Sequence, residues 1–89
     1  MHAAVVVANV DAVTDERLKM LKEGIVPRIS SADGFVAGYW LEPVDGQGLS
    51  VVVFKDEAAA KAAAPPVGTD MGNGVTIASL EFRPVLGNA

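Results

Sequence analysis

The chain has no cysteine among its 89 residues, which excludes disulfides, thiolate metal sites and cysteine nucleophiles. Histidine is nearly absent too. His2 is the only one, no second ligand stands near it in sequence, and a metal site needs several that converge. It therefore reads as a surface residue at the N-terminus, and no metal is expected. Basic residues are few, seven Lys and Arg against eleven Asp and Glu, and they are scattered. A net charge of −4 without a basic cluster argues against nucleic acid, because phosphate neutralisation needs Lys and Arg. No apolar run approaches the ~20 residues of a membrane span. The N-terminal run Ala3–Ala8 lacks the basic flank and the length of a signal peptide, so a cytoplasmic location and no membrane partner are expected.

What the chain has in excess is aliphatic. Half of it, 51%, is hydrophobic and 20% is charged, a globular composition. A positive mean hydropathy is unusual for one domain spanning residues 1–89. A domain this small buries only about 60–70% of its unfolded surface, so polar residues should dominate the remainder. The surplus of apolar residues points to a second copy of the chain as partner.

The stretch 34–55 carries most of the information. Gly34–Leu41 and Leu49–Lys55 are rich in β-branched and aromatic residues, and the segment between them holds Pro43, Asp45, Gly46 and Gly48. They predict two strands and a turn. In the first, Phe35, Ala37, Tyr39 and Leu41 alternate with Val36, Gly38 and Trp40. Both sets are apolar, whereas a strand with one wet face alternates apolar with polar. Ala3–Val10 is a further strand, apolar on both faces, with Asn9 as its one polar side chain. Thr14–Ile29 predicts a helix: Thr14 can cap it, Asp15 and Glu16 suit its first turn, and Leu18, Leu21, Ile25 and Ile29 form one stripe. Gly24 weakens it and Pro27 predicts a kink or an early end. Asp56–Ala64 is a second helix whose six alanines let it lie close to a sheet, and Pro65-Pro66 stops it. Pro65–Gly74 reads as a loop and Val75–Arg83 as the last strand, with Thr76, Ala78, Leu80 and Phe82 on one face. The order β-α-β-β-α-β is the α+β, ferredoxin-like split unit, a four-stranded antiparallel sheet with both helices on one face. The other face needs a partner.

Motifs of catalysis are scarce. Gly46-Gln47-Gly48 and Gly72-Asn73-Gly74 reach Val51 and Ile77 where a dinucleotide fingerprint has its third glycine, and read as turns. Ser50 lies in Gly48-Leu49-Ser50-Val51-Val52, which lacks the second glycine of a nucleophile elbow, and His2 is remote from it. Asp56 and Glu57 are explained by capping. Asn9 is the informative polar residue: it either lines a pocket and holds a ligand oxygen, or bonds a turn near Asp11. Glu81 is the one carboxylate with a place near a sheet–helix interface. Tyr39 and Trp40 face opposite sides of one strand, one toward a core and the other toward an interface or pocket rim.

The chain resembles the dimeric α+β barrel superfamily, in particular the small proteins grouped with the antibiotic-biosynthesis monooxygenases. The likeness rests on Val26-Pro27-Arg28-Ile29, Gly34-Phe35-Val36-Ala37-Gly38-Tyr39-Trp40-Leu41, the turn through Gly46-Gln47-Gly48, and Leu49-Ser50-Val51-Val52-Val53-Phe54-Lys55-Asp56-Glu57-Ala58. It implies a homodimer whose two sheets close a barrel, and a pocket in each subunit between sheet and helices. Haem-degrading members use an Asn on the first strand, a Trp near the end of the third and a His on the second helix. Asn9 matches the first position, Phe54 stands at the second, and the second helix has no His, so no haem or other cofactor is expected.

The expected ligand-binding residues are accordingly Asn9, Leu21, Ile25, Trp40 and Phe54, around a small apolar or aromatic molecule, with no residue assigned as catalytic. Two other functions stay open: a cofactor-independent monooxygenase that places a substrate carbanion in a dry pocket, and a structural or regulatory dimer without ligand.

Overall fold

A computed structural model describes residues 1–10, 14–65, 67–72 and 74–89. The elements run β1 (His2–Asn9), α1 (Asp15–Met20), a π-helical turn (Leu21–Ile25), α2 (Val26–Ser30), β2 (Phe35–Trp40), β3 (Gln47–Phe54), α3 (Glu57–Ala63), β4 (Asp70–Gly72) and β5 (Val75–Pro84). α1, the π turn and α2 continue one into the next, so two helices accompany the sheet in the ferredoxin-like β-α-β-β-α-β order. The sheet is antiparallel, in the order β2-β3-β1-β5-β4. Its four long strands are those expected. The fifth, β4, lies inside the stretch read as a loop.

Both helices start at the expected caps. The Arg17 amide donates to Thr14 Oγ1 at 3.1 Å and the Ala59 amide to Asp56 Oδ1 at 2.8 Å. The first helix does not end at Pro27. In a regular α-helix the proline ring would collide with the carbonyl of Glu23. Here the preceding turn widens instead, the Val26 amide donates to the Leu21 carbonyl five residues back, and the helix runs on to Ser30.

The faces of the sheet follow from register. In the unbroken β1–β3 pairing, Ala4 lies opposite Val52 and His2 opposite Phe54. Val52 and Phe54 pack with Ala60 of α3 and Ile29 of α2, so the even-numbered residues of β1 and β3 face the helices. Two bulges shift the neighbouring strands. One lies between Phe35 and Ala37, so Phe35 joins Trp40 on the helix side instead of alternating with it. The other lies opposite Val7 and Ala8, so Ile77 pairs with Ala8 and Leu80 with Val6, both on the helix side. The expected split of β5 into an even and an odd face therefore holds from Ser79 onward and is reversed before Ala78, where Val75 and Ile77 face the helices.

The core is small and concentrated at one end, around Phe54, which is 1% exposed and meets Phe35 edge-on at 6.2 Å between ring centres. Gly34 closes the α2–β2 turn with φ +81°, and its carbonyl accepts from the Lys55 amide at 2.8 Å. No helix among the described residues is long and apolar enough to cross a membrane.

Candidate functional site

The other half of the sheet–helix interface is not filled. α2 packs on β2 and α3 on β1, β3 and β5, while α1 makes no comparable contact with the sheet. The facing side chains are too small to bridge the gap: Ala4, Ala8 and Gly48 on the sheet, Ala63 and Ala64 at the end of α3. The result is a cavity of about 420 Å³. That lies within the ~300–1,000 Å³ of small-molecule sites, and ~150 Å³ already accommodates benzene. Leu18, Leu21 and Ile25 line it from the helix. These stripe residues are apolar yet remain incompletely buried, and Leu18 is still 38% exposed.

Trp40 forms one wall. Its indole lies across Gly38, where a Cβ would meet Cη2 and Cζ3 at 2.9 Å, so only glycine lets the ring lie this close to the strand. Phe54 and Val52, both buried, line the cavity from β3. Its ionisable lining residues are Arg17, Arg28 and Glu42, of which Arg28 and Glu42 are exposed.

Four of the five expected ligand-binding residues come together here: Leu21, Ile25, Trp40 and Phe54 all line the cavity. Asn9 does not. It sits on the opposite face of the sheet, exposed, with its Nδ2 donating to Thr76 Oγ1 at 3.3 Å across the β1–β5 pair. Position 9 is odd in a strand whose even residues face the helices, and that parity decides it. Asp11, the other expected partner, lies outside the described residues, as do Pro66 and Asn73. Glu81 is also on the far face, held by Arg83 at 2.7 Å. Tyr39 lies opposite Val51 on that face and is 64% exposed.

A cluster of titratable side chains among the described residues lies away from the cavity. Glu57 accepts from Lys61 Nζ at 2.7 Å and stands 3.5 Å from His2 Nε2, and Lys61 lies 5.8 Å above the Phe82 ring. The hydrogen bond and the charge of Lys61 hold the Glu57 carboxyl below its ordinary 4.5. His2 is thus tied into β1 and α3 rather than loose at a terminus. Among the described residues no group of three or more metal-ligating side chains converges.

Comparison with protein-family models, with curated proteins and with solved structures yields no match for this chain. The reading of the site therefore rests on its own geometry.

One lining residue was weighed in the sequence only as a nucleophile and set aside. Ser50 is half-buried on the floor of the cavity. A polar residue at an inward position of an otherwise apolar strand was the signal that would have found it.

Proposed function

We propose that this chain is a homodimeric α+β barrel protein that binds a small apolar or aromatic molecule between its sheet and its helices. The observation that carries the reading is the cavity of about 420 Å³, whose helix wall leaves Leu18, Leu21 and Ile25 short of burial. Large aliphatic side chains left partly in water by the fold itself gain burial when an apolar guest fills the space, at ~25 cal/mol per Å² removed from water. Binding is favoured over catalysis because the one carboxylate of the lining, Glu42, is exposed, while His2 and Glu57 belong to a different cluster.

Dimerisation is supported by the opposite face. Val5, Val7, Val51 and Val53 lie there side by side, with Tyr39 beside them, and no helix covers them. The chain exposes 5537 Å², against about 4,900 Å² for a folded monomer of this mass. Contiguous apolar surface of this kind marks an interface.

A thermal-shift screen with one- and two-ring aromatic hydrocarbons and their oxygenated derivatives tests the ligand. A guest present at a hundred times its Kd adds about 2.7 kcal/mol and moves the melting temperature by roughly ten degrees or more. A folded protein whose melting temperature no compound moves refutes it. Light scattering tests the assembly, and a 9.2 kDa particle at micromolar concentration refutes the dimer.

A further inference from the structure

Apart from the indole N–H of Trp40, Ser50 is the only polar side chain that the strands contribute to the cavity among the described residues. It stands directly opposite Trp40 on β2 and opposite Val6 on β1. Side chains so paired have Cβ atoms about 4.5–5.5 Å apart. Val6 has no polar atom, and the indole of Trp40, which lies across Gly38, makes no hydrogen bond to it. The Ser50 hydroxyl makes no side-chain hydrogen bond to the described residues, and it is not sealed from the cavity, since no side-chain polar atom there is both buried and unpartnered. Its hydrogen bonds therefore go into the cavity space.

We infer that Ser50 and Trp40 together select the guest as an aromatic ring carrying one oxygen, a hydroxyl or a carbonyl, with the ring against the indole and the oxygen on the Ser50 hydroxyl. This rests on the reading of the cavity as a binding site. A pure hydrocarbon entering the cavity strips the hydroxyl of water and returns nothing, whereas an aromatic oxygen restores the bond. A hydroxyl donates once and accepts twice, so it serves a phenol and an aryl ketone alike. Ring and oxygen need be only one side-chain pair apart, which one small molecule spans.

The test is a cycle of two ligands and three proteins, read by titration calorimetry. The probes are 1-naphthol and 1-methylnaphthalene, alike in shape and differing in the oxygen. The affinity ratio between them is measured for the native chain, Ser50→Ala and Ser50→Thr. The expected result is a ratio that falls about tenfold in Ser50→Ala, with 1-methylnaphthalene binding unchanged or tighter, and that is kept in Ser50→Thr. Circular dichroism of both variants checks the fold, and the threonine variant keeps the test sound should the alanine variant lose stability. Both probes binding with a ratio unmoved within twofold in Ser50→Ala overturns the role of Ser50 and leaves the cavity reading standing. Neither probe binding the native chain overturns both.

Discussion

Two glycine-to-alanine changes of identical chemistry should move stability in opposite directions. Gly34 has φ +81°, where an L-residue costs about 1–2 kcal/mol. A Cβ there would also meet Lys55 Cγ at 2.8 Å and Ala59 Cβ at 2.9 Å. The lysine stem can swing aside, but the alanine methyl is fixed to α3, so the backbone must give. Overpacking of that kind adds about 1–3 kcal/mol, for a total of roughly 2–5 kcal/mol. At ~0.05–0.15 kcal/mol per residue a domain of this length holds about 4–13 kcal/mol, so Gly34→Ala removes a large share of it. At Gly24 nothing lies within 4 Å of a new Cβ and the backbone is helical, so Gly24→Ala should stabilise by ~0.5–1 kcal/mol. Urea unfolding followed by circular dichroism measures both. A Gly34→Ala midpoint within error of the native one would refute the assignment of that turn. Gly34→Asn divides the two contributions, since Asn tolerates the left-handed backbone but keeps the collision.

Phe54→Ala should cost about 3–5 kcal/mol, because it empties the centre of the only dense packing in the described fold, and chemical denaturation reads it. Glu57→Gln should flatten the acid limb of the stability curve. The Glu57 carboxyl titrates lower folded than unfolded, so its contribution is full above the ordinary 4.5 and is lost as pH falls through the lowered value. Melting temperatures of the two proteins compared from neutrality down to strong acid check the sign, and the exposed pair makes the difference small. Asn9→Ala should leave ligand affinity unchanged and cost at most ~1 kcal/mol, since one exposed bond to Thr76 is all it loses.

The strand and helix order was legible because each element carries its own local signal. The stripe Leu18, Leu21, Ile25, Ile29 and the caps Thr14 and Asp56 act within a few residues of themselves. What was not legible depends on partners remote in the chain. The bulge beside Phe35 exists only against β3, and the one near Ala78 only against β1, so simple alternation placed Phe35, Val75 and Ile77 on the wrong face. Three residues, Asp70–Gly72, are too few for any pattern, so β4 went unseen. Asn9 stood out as polar in an apolar strand, yet its face is fixed only once Ala4 and Val52 are known to be paired beneath α3. Leu21, Ile25, Trp40 and Phe54 were found because large apolar side chains announce their face. The emptiness between them follows from small residues on three elements at once, which no single stretch reveals.

The two borders of the sheet also bear on the tendency of an aliphatic chain to grow into fibrils. Its outermost strands are β2 and β4. β2 carries a bulge within its first three residues, and β4 is three residues long. Strand-by-strand growth needs a long, flat row of open amides and carbonyls, and a bulge or a short strand spoils it. Neither border supplies such a row. Open-ended lateral growth is therefore disfavoured at the place where a half-hydrophobic sequence is most exposed to it, and the stickiness that remains points out of the plane of the sheet. Contact in that direction between two like sheets satisfies itself once and then stops, the difference between a closed pair and a filament.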